Sequence, residues 1–334
     1  MPTSNPSRRG APRRRLLAAI AGLAVATAAP AAAQSAPAGW PSKPIRVIVP
    51  YPAGGVVDVM ARAVVQRMAV DLGQPIVVEA RPGANANIGA DAVATAAPDG
   101  YTWLVSASFL LNNPLLETGL RWKPADFVPV ARYALSPSYL VVPASSPART
   151  LREYIELARA TPGLQYGEGG TGTPQSMSIE MLKAVAGLKL EPVLYKGAPP
   201  IVPDLAAGAV SMAVLPSTVA IPHVKSGRLR ALANTGNKRS TTFPDVPTIA
   251  EAGVPEATVL SWYGFHVPAG TPAPVVRRIA EATVAAAADP EVRERLAAAG
   301  GEAVGQSGAE FEAFLRDEQA RWTRFVEAAR KNAR

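Results

Sequence analysis

Four glycine-rich turns stand directly before stretches that read as helices. They are Tyr51-Pro-Ala-Gly-Gly55, Arg81-Pro-Gly-Ala-Asn85, Gly167 to Thr173, and Lys196-Gly-Ala-Pro-Pro200. A helix N-terminus presents unpaired backbone N–H groups and the positive end of the helix dipole. Glycine lets an anion approach that backbone closely, so the chemistry open to these turns is capture of a carboxylate or phosphate. Gly167-Glu-Gly-Gly-Thr-Gly172 also has dinucleotide-turn spacing, with Glu191 downstream. Its preceding strand is short, Pro174 interrupts the turn and Pro192 follows Glu191, so no cofactor is assigned. A Walker A loop fails because Thr173 stands where the lysine belongs. His223 and His266 have no second His, Asp or Glu at ligand spacing and read as local hydrogen-bonding or core residues, with no metal site. No G-x-S-x-G elbow is present. Asp58, with Arg62 four residues on, reads either as dipole and ion-pair support or as the residue that fixes a ligand-holding turn.

Positioning these turns requires a strand before each and a helix after it. Ile45–Val49 is a β-branched run ended by Pro50, Pro52 and two glycines. Val56 to Leu72 repeats a polar residue every four positions (Asp58, Arg62, Gln66) and closes at Gly73, the pattern of a capped helix. Strand Ile76–Val78, helix Asn87–Ala96 and strand Tyr101–Val105 follow. The alternation restarts with strand Tyr139–Val142, helix Leu151–Ala160, strand Leu164–Tyr166 and helix Ser176–Ala186. Strand Val193–Tyr195, helix Ile201–Ala207, strand Val210–Leu215, helix Thr218–Ser226 and strand Leu229–Ala233 complete it. Strands apolar on both faces read locally as parallel sheet covered by helices. The last third holds strand Trp262–Val267 and three helices, the middle one opening on Asp289-Pro290. The final helix presents Phe311, Phe314, Leu315, Trp322, Phe325 and Val326 at helical spacing, as core packing or a docking face.

The chain has 334 residues, a formal charge of +8 and no Cys. At about 150 residues per domain this suggests two domains. The absence of Cys excludes thiol catalysis and Cys-ligated metal. Five of the net charges, Arg8, Arg9, Arg13, Arg14 and Arg15, fall in residues 1–33, which hold no acid. The apolar run Leu16 to Ala29 and Ala31-Ala-Ala33 complete an export signal, too short for the ~20 apolar residues of a membrane span. Its removal near Ala33 leaves +3 and no basic track, so nucleic acid is not expected as a partner.

An ordered series of short segments carries a resemblance. It begins with Trp40-Pro-Ser-Lys-Pro-Ile-Arg-Val-Ile-Val-Pro50, Gly54-Gly55-x-x-Asp58, Gly73-Gln-Pro75, Glu79-Ala-Arg-Pro-Gly83, Asn87-Ile-Gly89 and Ala97-Pro-Asp-Gly-Tyr101. Asn113-Pro114, Tyr195-Lys-Gly197, Phe243-Pro-Asp-Val-Pro-Thr248, Glu251-Ala-Gly253 and Pro268-Ala-Gly-Thr-Pro272 continue it. From Trp40 to about Val326 the chain resembles the tripartite tricarboxylate transporter substrate-binding proteins, the Bug family.

The resemblance implies an α/β two-lobed periplasmic-binding-protein fold of type II-like form. It would have two mixed sheets flanked by helices and a ligand cleft between the lobes. The expected division is a signal peptide over 1–33, one lobe from 34–137 with 259–334, and another from 138–258. The implied function is capture of a small carboxylate or related metabolite in the periplasm for a tripartite tricarboxylate-type transporter. Service to a membrane sensor, or an exported enzyme using the same cleft, are the alternatives. A monomer with no cofactor is expected. Carried over by position, the ligand-binding residues are Tyr51, Ala53, Gly54, Gly55 and Asp58 of the first turn, and Gly170, Thr171, Gly172 and Thr173 of the mid-chain turn. Ser106, Ser108 and Ser217 at strand ends would add side-chain contacts. Three positions depart from the family pattern. Glu168 replaces a Ser, Ser176 a His and Ser211 an Asp, which puts an extra carboxylate near the cleft mouth and admits a neutral or partly aromatic ligand.

Overall fold

The computed structural model describes residues 39–170 and 172–332, so the leader assigned to 1–33 and Thr171 lie outside the described residues. Strands β1 (Ile45–Val49), β2 (Ile76–Ala80), β3 (Thr102–Ser106), β4 (Phe127–Ser136), β10 (Ser261–Pro268) and β11 (Glu302–Ser307) form one sheet, in the order β11-β4-β10-β3-β1-β2. The second sheet runs β7-β6-β8-β5-β9, from β5 (Ser138–Pro143), β6 (Gln165–Glu168), β7 (Glu191–Leu194), β8 (Met212–Pro216) and β9 (Leu229–Asn234). Both sheets are mixed. The strand–helix units pair parallel, β1 with β2 and β3, β6 with β7 and β8. The chain leaves the first sheet along β4 and returns along β10, and these strands lie antiparallel to their neighbours. The all-parallel reading of the local pattern holds only for those units.

The helices are α1 (Val56–Leu72), α2 (Asn87–Ala94), α3 (Phe109–Leu116), α4 (Leu151–Ala160), α5 (Pro174–Ala186), α6 (Ile201–Ala207), α7 (Ser217–Lys225), α8 (Ala273–Ala288), α9 (Pro290–Ala298) and α10 (Gly308–Asn332). Period-two alternation puts them on both faces. On β5, Leu140 and Val142 pack with Tyr154 of α4 and Leu182 of α5, whereas Tyr139 and Val141 pack with Ile201 and Leu205 of α6. On β10, Phe265 joins Trp103, Met60 and Ile279 in the core beneath α1 and α8, while Trp262 turns to Phe311 of α10.

Local signals explain the caps. Gly73 takes the left-handed conformation (φ 66°) that ends α1. Asp289 Oδ1 accepts from the N–H groups of Glu291 and Val292 at the start of α9. Its Oδ2 accepts from Arg67 Nε at 3.0 Å, which ties that cap to α1. The aromatic stripe of α10 is core. Phe311 and Trp322 are fully buried, and Trp322 packs with Met177 of α5 and Val259, so the helix touches elements of both sheets.

Three elements go beyond the sequence reading. α3 holds Asn112, Asn113 and Pro114 in its interior, β4 carries Pro129 and Arg132, and β11 is a half-exposed edge strand with Gly305. Each carries interior residues that disfavour its class, Asn and Pro in α3, Pro129 in β4 and Gly305 in β11, and tertiary pairing offsets them.

Candidate functional site

Of the four glycine-rich turns, the two to which the resemblance assigns ligand-binding residues follow β1 and β6, at the ends of both sheets where the chain also crosses over. In the first turn, Gly54 has φ 76°, a left-handed conformation that glycine adopts without cost. Its N–H donates to Asp58 Oδ2 at 3.0 Å, and the same oxygen accepts from Arg62 Nε at 2.9 Å. Asp58 therefore both pairs along the helix and clamps the first turn. Burial raises its pKa, but the bonds from Arg62 and Gly54 outweigh that and hold the carboxyl below the ordinary value. Asp58 Oδ1 is buried with no hydrogen-bond partner. Gly55, the N-cap of α1, leaves that helix start without a side-chain cap. Tyr51 meets Phe109 edge-on at 6.1 Å between ring centroids. Burial raises the Tyr51 phenol, and Tyr263, itself pushed up to about 12 by burial, raises it further. Both phenols are neutral hydrogen-bond donors at any physiological pH.

The mid-chain turn is built differently. Thr173 Oγ1 accepts from Ser176 N–H and donates to Gly170 carbonyl, capping α5. Gly172 also lies in the left-handed region (φ 76°), and a Cβ there would come within 2.5 Å of Leu116 Cδ1. Its carbonyl accepts from Asn112 Nδ2 of α3 at 2.8 Å. Phe109 and Asn112 are three residues apart and lie on one side of α3. That helix therefore brings the first turn, through Tyr51, and the mid-chain turn, through Gly172, to a common face.

Not every candidate residue points to this face. Ser106 is fully buried, and its hydroxyl shares a 2.7 Å hydrogen bond with His266 Nδ1. His266 is a core residue, as expected, pushed down to about 3 by burial. Ser108 precedes α3 and is buried. The Ser217 hydroxyl donates to the Pro137 carbonyl at the crossover between sheets. Ala53 is exposed at the tip of the first turn. Glu168 is buried rather than set at a mouth, and its Oε1 accepts the Gly170 N–H at 3.1 Å. Burial raises its pKa, opposed by the bonds from Gly170 and Ser176. The turn thus neutralises one of its own amides. Ser211 lies at the opposite end of the sheet, where its hydroxyl donates to Gln165 carbonyl and contacts the Tyr154 phenol at 2.9 Å.

Asn112 is the residue that sequence reasoning missed. Its signal is the pair of amides in an otherwise apolar helix, FLLNNPLL. Asn113 serves structure, donating to Asn85 carbonyl and Asn87 Oδ1.

A family model described as tripartite tricarboxylate transporter family receptor matches residues 60–330. The chain belongs to this receptor family. Within it, the chain is 37% identical to Protein BugT of Bordetella pertussis over 324 residues, covering 93% of this chain and 96% of that one. Among solved structures, it is similar to an R. palustris protein determined with adipate (TM-score 0.78, 32% identity, 87% of this chain and 98% of the other). It is likewise similar to MatC from Rhodopseudomonas palustris with bound malate (TM-score 0.73, 30% identity, 86% and 100%). For this receptor, no helix among the described residues is long and apolar enough to cross a membrane.

Proposed function

We propose that this receptor is exported, loses its leader near Ala33 and captures a small carboxylate between two lobes. Those lobes are residues 34–137 with 259–334, and 138–258. Closure would present the ligand unchanged to the membrane subunits of a tripartite tricarboxylate-type transporter. The observation that carries the reading is the convergence of two glycine turns on one side of α3, through Tyr51–Phe109 and Asn112–Gly172. Adipate and malate in the two similar structures support a carboxylate as ligand. The uncapped start of α1 offers backbone N–H groups and a positive dipole end, and the neutral Tyr51 phenol offers a donor beside them. Tyr51, Ala53, Gly54 and Gly55 would receive one end of the ligand, while Gly170, Thr171, Gly172 and Thr173 close from the other side. Asp58 acts by holding the first turn. The carboxylates of Asp58 and Glu168 are engaged by their own turns, which leaves neither arranged as a general base and favours binding over catalysis.

A thermal-shift screen of small mono-, di- and tricarboxylates and related metabolites against the mature protein tests this. Stabilisation by at least one carboxylate is expected, since a ligand that binds only the folded state raises the melting temperature. No stabilisation by any of them would overturn the reading.

A further inference from the structure

A cavity of about 500 Å³ lies away from the glycine turns. Its walls come from both sheets, with Leu135, Pro137 and Tyr139 at one crossover and Gly236 and Leu260 at the other. It sits where the loop after β9 meets the start of β11, and β9 and β11 are each an edge strand of their sheet. β1 and β6, which carry the glycine turns, lie across the crossover strands in each sheet order. Of the candidate ligand residues among the described residues, only Ser217 lines the cavity, and its hydroxyl is engaged by Pro137.

The lining has a definite chemistry. Lys238, Arg239 and Arg293 face a single carboxylate, Glu302. Lys238 pairs with Glu302, linking a loop after β9 to the start of β11. Arg239 is held by Glu251 and by Pro244 carbonyl. Among the described residues, no ion pair or side-chain hydrogen bond engages Arg293, which projects from α9 one turn before Ala297. The lining also includes the apolar side chains of Tyr139, Ile221 and Leu260. Ser240, Thr241 and Thr242 add hydroxyl-bearing residues to the lining. An apolar pocket of several hundred Å³ with a few convergent polar groups is the form of a small-molecule site.

We propose that this cavity is a second ligand site, one for a small organic anion. Its carboxylate would pair with Arg293, whose planar fork suits bidentate recognition, and its apolar body would rest on Tyr139, Ile221 and Leu260. A bound anion would bridge chain segments of both sheets.

Benzoate is the probe, titrated calorimetrically into the mature protein and into two variants checked for folding by circular dichroism. Arg293 is exposed, so Arg293→Gln leaves the fold intact. We expect saturable benzoate binding that weakens at least tenfold in Arg293→Gln and is unchanged in Gly172→Val. No saturation below about 10 mM, the range of non-specific contact, would overturn the proposal. So would affinity indifferent to Arg293. Loss of benzoate binding in Gly172→Val would assign it to the glycine-turn face and refute the second site.

Discussion

Removing the Asp58 carboxylate separates its role as a clamp from that of a simple helix ion pair. Its Oδ2 receives two donors, Gly54 N–H at 3.0 Å and Arg62 Nε at 2.9 Å. A hydrogen bond to a charged acceptor contributes about 1.5–3 kcal/mol, and the exposure of Gly54 puts this one near the lower end. The Arg62 side chain is 48% exposed, so its pair with Asp58 is screened and adds only about 0.5 kcal/mol. Asp58→Ala should therefore destabilise the protein by about 2 kcal/mol near neutral pH. Asp58→Asn, which keeps a neutral acceptor, should cost about 1 kcal/mol. The folded-state pKa is lowered, so the ionised group stabilises the fold above its unfolded value near 3.8. That stabilisation disappears as pH falls through the lower folded value. Urea denaturation followed by circular dichroism measures the gap between wild type and Asp58→Ala at about pH 7 and about pH 3. The gap should shrink in acid, and ligand affinity of Asp58→Ala at neutral pH should fall about tenfold as the turn loosens. An equal gap at both pH values, or intact affinity, would refute the clamp.

Three further outcomes follow. Glu168→Gln removes a buried charge from the mid-chain turn and should tighten binding of the best-stabilising carboxylate about fivefold near neutral pH by calorimetry. Unchanged or weaker binding would show that Glu168 does not oppose the ligand. Buried neutral His266 has a depressed pKa, so the unfolded chain takes up a proton that the folded chain refuses. Stability should therefore decline as pH drops from about 6.5 towards 3, and less so in His266→Leu, measured by urea midpoints across that range. Trp322→Ala leaves a cavity between α10, Met177 and Val259 and should cost about 3–5 kcal/mol by the same denaturation assay. A loss below 1 kcal/mol would contradict the core assignment.

How much of the fold is legible in the sequence depends on how local each cause is. Helix α1 is marked by Asp58, Arg62 and Gln66 on one side and Gly73 at its end, and α9 by Asp289-Pro290. Turn and cap chemistry acts within a few residues, so the glycine turns are legible in the residue order alone. The fate of the strand-end hydroxyls is not. Ser106 is engaged by a histidine 160 residues later and Ser217 by a carbonyl 80 residues earlier, partners that only the assembled sheets supply. The same reason hides α3. Its interior Asn-Asn-Pro argues against a helix, and it forms where the Nδ2 groups of Asn113 and Asn112 find acceptors in Asn85, Asn87 and Gly172 from elsewhere in the chain. The direction of Glu168 is equally hidden. Spacing puts a carboxylate in the turn, but only the fold aims it inward at Gly170.

Carboxylate capture at the two glycine turns is the central claim. Calorimetric titration of the best-stabilising carboxylate into wild type and Gly172→Val tests it most directly. A valine at Gly172 would be forced to φ 76° and into Leu116. One saturable site is expected in wild type, with at least a hundredfold weaker binding in a variant that keeps its circular dichroism spectrum. Equal affinity in both proteins would contradict the claim.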